Sequence, residues 1–598
     1  METLLHSIGT ADGVSVLGAL WRPFLISMVL YFSGYFAVFF GTLARVARIV
    51  PLFRGLSPDE AVDILVVIPT LLRAPSDLDD LRDAADTVLR NRYPGRVTLC
   101  LSIDGSNDRP ALVDELEAWA NTRREMLVLV ARVPARAGKG VAVAAGLARA
   151  EAAVRDGELA TLPPVFFNMD ADGVLGPRAL ERMVATLVRP GAITRQRPMI
   201  VASNVLVRKE HYWAGWRSYF TMRYQLALQV AREYMTSISV ARNNRGLLPV
   251  TGVSGALYAT WTQLHEQQAR HASFMHSLRR RDLARWWLGG GAPSFARFTG
   301  APNVEATAGP GDDTWIAWIA MAAVWRDGRI CLELPRTPLH ALGRLVRSLV
   351  VRRIAYDPLA RVYTATPTTV RALFKQRIRW NSSRTWLYQR FGRMPMFHWE
   401  LGAWVAADLL MLLFIHGVIL VGLLGWPFAD RPATWIAMLA LAYAFETVIR
   451  GAATLLAMIQ DHDVRGHWHK LLSLPLAGVF HLVFNILTTI VGFAKDLLGF
   501  GVNTHFAPEE TLAASGTSRP ALAYRVVRCA KLAWRAVRHG DVPIGWFWLG
   551  WNATPYTANG YAGWTNPKNK IGRGGVLPST RTTRAARSPR AGDLSSIG

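Results

Sequence analysis

The chain has 598 residues, with 68 Lys and Arg against 43 Asp and Glu for a formal charge of +25, and 51% of its residues are hydrophobic. A mean hydropathy of +0.17 excludes a disordered chain, which needs low hydrophobicity, and is unusual beside so much surplus base in an ordinary water-soluble globule. Three cysteines, Cys100, Cys331 and Cys529, are too few and too scattered for a disulfide framework or a CxxC metal site, and point to a reducing compartment.

The first element in chain order is an uncharged apolar run from Pro23 to Leu43, close to the ~20 residues needed to cross hydrocarbon. It starts too far from Met1 and is too long for a cleaved signal. Arg45, Arg48 and Arg54 follow it, so the positive-inside bias predicts a cytoplasmic segment after the span and an outer N-terminus. Residues 1–57 thus read as an N-terminal segment with one span, and residues 58–380 as a soluble α/β domain.

Within that domain, strand-like Val62–Pro69 precedes a helix over 76–91, which Ser76 can cap and whose apolar positions 78, 81, 84, 85, 88 and 89 recur at helical spacing. Strands follow at 97–103, 126–132, 165–169 and 199–205. Strands alternating with helices predict a mostly parallel sheet with ligands beyond the carboxyl ends of its strands.

After the soluble domain, residues 381–500 hold interfacial helices and three further apolar stretches, 401–426, 434–459 and about 471–494. One plus three crossings would place the C-terminus outside. The basic amphipathic stretch 525–538, however, belongs on an inner leaflet, so either one crossing is miscounted or one stretch is re-entrant. Asp408, His416, Glu446, Arg450 and Asn485 fall within these stretches, where ionisable and polar groups usually face a polar interior. Residues 501–598 form a basic C-terminal region that ends in a solvated tail rich in Gly, Pro, Ser, Thr and Arg.

The chemistry-bearing residues lie where strands end. Asp104 closes one strand, and Asp170 and Asp172 in MDADG close another, a pattern that suits a hard divalent cation shared with substrate phosphates but also a solvated turn. Lys139 in AGKG opens a helix and can meet a diphosphate as a point charge, without the P-loop spacing that an ATPase needs. Gly252 and Gly255 in TGVSGALY leave room for a ligand or make a plain turn. Asp312 and Asp313 precede an apolar helical run, where acids also serve as caps. Gln376, Arg379 and Trp380 form a Gln-x-x-Arg-Trp cluster just before the second apolar block.

In this order the motifs resemble those of the processive, membrane-embedded family 2 glycosyltransferases, the cellulose, chitin, hyaluronan and chitin-oligosaccharide synthases. The resemblance covers residues 62–380 and extends to the flanking spans by architecture alone. The Gly-Asp-Asp at 311–313 is more similar to hyaluronan synthases than to the others. Three features depart from the family pattern. Ile103-Asp104-Gly105 stands for Asp-Asp-Gly, Leu71-Leu72-Arg73 for Tyr-Asn-Glu, and the stretch 265–310 has no counterpart.

What the resemblance implies is a GT-A-like cytosolic domain joined to an α-helical transmembrane region in a plasma membrane, or an inner membrane in a Gram-negative cell. The implied activity is inverting polymerisation of a UDP-sugar donor onto a growing polysaccharide acceptor, which then crosses the lipid bilayer, with envelope export proteins as possible partners. Asp170 and Asp172 would hold Mg²⁺ or Mn²⁺. Pro69, Thr70, Asp104, Lys139, Gln376 and Arg379 would bind the donor, Gly252, Gly255, Asp312 and Trp380 the acceptor, and Asp313 would be the catalytic base. Two other readings stand beside it: a non-processive transferase adding one sugar to a lipid carrier, and a non-catalytic binding subunit of an export complex. A nucleic-acid binder is excluded, because the arginines flank apolar runs rather than forming a recognition motif.

Overall fold

The computed structural model describes residues 55–189, 196–236, 253–302, 312–348, 353–367, 369–410, 432–460 and 464–491. Its core is an eight-stranded mixed sheet. β1 (Ile64–Thr70) is buried at all seven positions, as its unbroken apolar run requires of a central parallel strand. α1 (Pro75–Leu89) then returns over the sheet and buries Leu78, Leu81, Ala84, Ala85 and Val88. Its cap is not Ser76: the helix starts one residue earlier, and the Asp77 carboxylate accepts the N–H groups of Arg73 and Ala74 at 2.8 and 3.0 Å.

β2 (Val97–Asp104), α2 (Pro110–Asn121), β3 (Leu127–Val133) and α3 (Lys139–Arg155) repeat the pattern, and β4 (Val165–Met169) completes a parallel block in the order β3-β2-β1-β4. The short β5 (Val174–Leu175), α4 (Ala179–Val188), β6 (Ile200–Val207) and α5 (Met222–Tyr234) follow. β7 (Leu257–Trp261) then runs antiparallel between β4 and β6 and joins the two halves of the sheet. The five strands expected from the sequence are present, whereas β7 emerges from what reads as a glycine turn.

The segment without a family counterpart forms α6 (Gln268–Ser277) and α7 (Arg280–Trp287). α8 (Asp312–Ala322) leads into a hairpin, β8 (Ala323–Arg326) and β9 (Arg329–Leu332), followed by α9 (Pro338–Ser348). β10 (Ile354–Thr364) pairs parallel with β6 and breaks register between Asp357 and Arg361, around Pro358. α10 (Val370–Phe391) carries the Gln-x-x-Arg-Trp cluster. Its N-terminus is capped by Thr369, whose hydroxyl accepts the Ala372 N–H at 3.2 Å.

α11 (Trp399–Leu410) and α12 (Pro432–Gln460) fall in the second apolar block. Residues 23–43 and 411–431 lie outside the described residues. Among the described residues no single helix is long and apolar enough to cross a membrane. One bent pair, Trp468–Phe480 with Val483–Val491, meets that test jointly with a 59° break.

Candidate active site

The site is assembled on the rim where β1, β2 and β4 end and β7 begins. Asp104 is the last residue of β2 and is 9% exposed. Its two carboxylate oxygens accept the N–H groups of Ala137 and Gly138 at 2.6 and 2.9 Å, so it holds the loop that introduces α3. Gly105 (φ 75) and Gly138 (φ 101) adopt backbone conformations that a side chain would strain. Burial pushes the Asp104 carboxyl above the usual range, against the two N–H groups that favour its charged form. Pro69 and Thr70 are buried at the end of β1, where Thr70 lies opposite Ile103 of β2.

Lys139, the first residue of α3, is thereby aimed across the rim. Its Nζ donates to Asp170 Oδ1 at 2.5 Å and to the Gly255 carbonyl at 3.1 Å. The Gly255 N–H in turn donates to Asp313 Oδ2 at 3.2 Å, while Asp313 Oδ1 accepts the Thr314 N–H at 2.8 Å. Asn168 reaches the same Gly255 carbonyl at 3.3 Å. One main-chain residue therefore gathers Lys139 and Asp313, and Lys139 brings Asp170 to them. A Cβ at position 255 would stand 3.0 Å from Lys139 Nζ and 3.4 Å from Asp313 Oδ2, so a side chain there would make the lysine end give way by a few tenths of an ångström.

Asp172 sits beside this hub. Its Oδ2 accepts the Thr364 hydroxyl at 2.7 Å, and Arg208 donates to its main-chain carbonyl at 3.1 Å. Burial first, and the neighbouring Asp170 charge second, raise its carboxyl above the usual range. Among the described residues no group of three or more His, Cys, Asp and Glu is placed to hold a metal ion. The protein therefore offers Asp170 and Asp172 rather than a closed cage. Such a donor set fits a hard cation that takes its remaining oxygens from water and a substrate phosphate.

The Gln-x-x-Arg-Trp cluster approaches from α10. Burial lowers the Arg379 guanidinium below its ordinary value, opposed by the charges of Asp170 and Asp313, which places Arg379 in the same electrostatic neighbourhood. Gln376 Oε1 is buried without a hydrogen-bond partner among the described residues. Trp380 stays 37% exposed, with the Arg377 guanidinium 4.7 Å from its ring centre and the Tyr234 ring at 6.1 Å. Arg377 is fixed by an ion pair with Glu233. Asp312 begins α8, and Gly252 lies outside the described residues. Sequence reasoning missed Asn168, Arg208 and Thr364. Arg208 was the most findable, as a cation directly after a strand.

Residues 65–243 match the family model described as Glycosyl transferase family 2. No curated protein matches the chain. Among solved structures, a mannosyltransferase from Pyrobaculum calidifontis in complex with GDP-Man and Mn²⁺ is 17% identical over 74% of this chain and 98% of its own, with a TM-score of 0.39. A glucosyl-3-phosphoglycerate synthase from M. tuberculosis is 16% identical over 56% of this chain and 82% of its own, with a TM-score of 0.25. At this degree of overlap neither likeness bears on donor, acceptor or product.

Proposed function

We propose, from the premise that residues 65–243 form a family 2 glycosyl transferase domain, that this glycosyltransferase is an inverting, processive synthase. It would polymerise a UDP-activated sugar into a β-linked polysaccharide and pass it through an adjoining membrane region. The observation that carries this reading is the convergence of Lys139 and Asp313 on Gly255, with Asp170 joined to them through Lys139. It puts a candidate base, a cation for phosphate and a metal-type carboxylate within one donor's reach.

In the proposed reaction the acceptor hydroxyl oxygen attacks the anomeric carbon. The bond from that carbon to the diphosphate oxygen breaks, and its electron pair leaves with the nucleoside diphosphate. Asp313 takes the hydroxyl proton, and one displacement inverts the configuration without an enzyme nucleophile. The N–H groups of Gly255 and Thr314 each hold one Asp313 oxygen, which fixes the base in direction. Lys139 and Arg379 place positive charge where the diphosphate leaves. A divalent cation held by Asp172 and Asp170 would supply further charge neutralisation there. Trp380 offers the acceptor sugar a flat apolar face beside Arg377.

The Gln-x-x-Arg-Trp cluster and the apolar stretches that follow it support processivity and a multi-pass membrane location with the catalytic domain cytoplasmic. The test is incubation of membranes containing the full chain with each of several labelled UDP-sugars and Mn²⁺, beside Asp313→Asn. A labelled polymer from one donor, reduced about 10²–10⁴-fold in the variant, is expected for loss of a general base. A single glycolipid would replace this reading by one-sugar transfer, and no product from any donor would remove the UDP-sugar assignment.

A further inference from the structure

α9 is patterned inside out. It buries Arg344, 6% exposed, and Ala341 against the protein, and leaves Leu339 at 77%, Leu342 at 44% and Val346 at 58% exposed. These three positions, spaced i, i+3 and i+7, share one face of a helix. A helix at a water boundary would turn the leucines in and the arginine out. Arg344 is instead committed inward: it ion-pairs with Glu400 of α11 at 3.2 Å and donates to the carbonyls of Glu333 and Met321 at 3.1 and 3.0 Å. The exposed face is thus fixed by what the opposite face must hold.

Further exposed apolar residues stand at the end of α7. The Trp286 indole N–H donates to the Pro335 carbonyl at 2.7 Å, three residues before α9, and so ties the two helices together. The next residues, Trp287 and Leu288, are 55% and 88% exposed. Trp287 packs on Trp399, the first residue of α11, at 5.6 Å. Cations border the apolar residues: Arg336 and Arg347 on the α9 side, Arg281 and Arg285 on the α7 side, all exposed.

We infer that α7 and α9 together form a docking face that inserts shallowly into the headgroup boundary of an anionic lipid surface. Two facts select lipid over a partner protein. Leucine, valine and tryptophan side chains bordered by arginines match the apolar-under-anionic layering of such a leaflet. The opposite side of α9 and Trp287 of α7 are also packed against the start of α11, which opens the apolar stretch 401–426, so the face and that stretch would meet one bilayer. The inference extends the membrane location given under the proposed function and rests on it.

The test uses the full chain with Cys331→Ser and Cys529→Ser, reconstituted into vesicles of phosphatidylcholine with or without phosphatidylglycerol. An environment-sensitive fluorophore is placed at Leu342→Cys or, as a control on α1, at Asp83→Cys. The Leu342 label is expected to emit in the blue and to be quenched by nitroxide-bearing phospholipid, while the Asp83 label is quenched by aqueous iodide. Arg336→Glu with Arg347→Glu is expected to cut the lipid quenching at position 342 at least two-fold in vesicles containing phosphatidylglycerol. A chain that co-floats with vesicles but carries a water-quenched Leu342 label would overturn the docking face and leave the membrane reading intact. A dry label untouched by lipid nitroxide would assign the face to a protein partner and equally overturn it. Failure of the chain to co-float would remove both.

Discussion

Two of the carboxylate–cation clusters among the described residues, one at Gly255 and one around Glu400, differ in their access to water. At Gly255 the ion pair of Lys139 and Asp170 leaves the two side chains 30% and 36% exposed. Around Glu400 the partners are sealed: Glu400 is 1% exposed, with Arg344 at 3.2 Å, Arg353 at 3.6 Å and His398 at 3.7 Å. An open pair is worth little to stability but can exchange its partner for a ligand. A sealed group cannot exchange, so removing one member strands the others in low dielectric. Burial alone would raise the Glu400 carboxyl, yet His398, Arg344 and Arg353 together hold it down at about 2. Under the proposed function the same chemistry would serve reaction in one place, and it joins α9 to α11 in the other.

The contrast can be broken most directly at the sealed cluster. Glu400→Gln should lose about 3–5 kcal/mol, because two buried guanidinium groups lose their counter-charge; urea titration of the purified chain measures it, and an unchanged midpoint would make the cluster incidental. Lys139→Met should do the reverse, lowering turnover about 10²-fold by loss of charge at the diphosphate while moving stability by less than about 1 kcal/mol. Paired activity and urea measurements separate the two. Gly255→Ala should be milder still. The added methyl meets the flexible end of Lys139 at 3.0 Å, so turnover should fall about ten-fold through misplacement, with an unaltered melting midpoint.

The pH dependence of stability sharpens the same contrast. Burial keeps His398 and His271 neutral in the folded state down to about 4 and about 3, whereas the unfolded chain protonates them near 6.5. The unfolded state then binds more protons, so their contribution is full above about 6.5 and is lost as pH falls toward 4. Glu400 acts in the same direction lower down: its contribution is present above its unfolded value and is lost as pH falls through about 2. A melting midpoint several degrees lower at pH 5 than at pH 7.5 is expected, and a flat profile would contradict the sealed state of these histidines.

The amino-terminal half was legible in the sequence because its signals are local. β1, β2 and β4 read as apolar runs, α1 as an apolar stripe, and the acids stood at strand ends. β10 was hidden because Asp357-Pro358 reads as a turn, whereas in the structure it marks the register break inside a strand paired with β6. β7 was hidden because Leu257–Trp261 is short and directly follows glycine. At the site, the order of Asp104, Lys139, Asp170 and Asp313 was visible, but the point where Lys139 and Asp313 meet was not. That point is a main-chain amide and carbonyl at Gly255, and backbone atoms carry no sequence signature. Thr364 on Asp172 was equally invisible, since 192 residues separate the pair.

β7 runs against both of its neighbours, and this decides how fragile the site is to changes in chain length. Because Leu257 lies opposite Met169, the amino end of a reversed strand is delivered to the carboxyl end of β4, and pairing alone sets how far Gly255 reaches. A slip of one residue would shift it ~3.4 Å along the rim and turn each side chain to the other face. Deleting any one residue of Leu257–Trp261 would therefore pull the main-chain clasp off Lys139 and Asp313 as surely as replacing them.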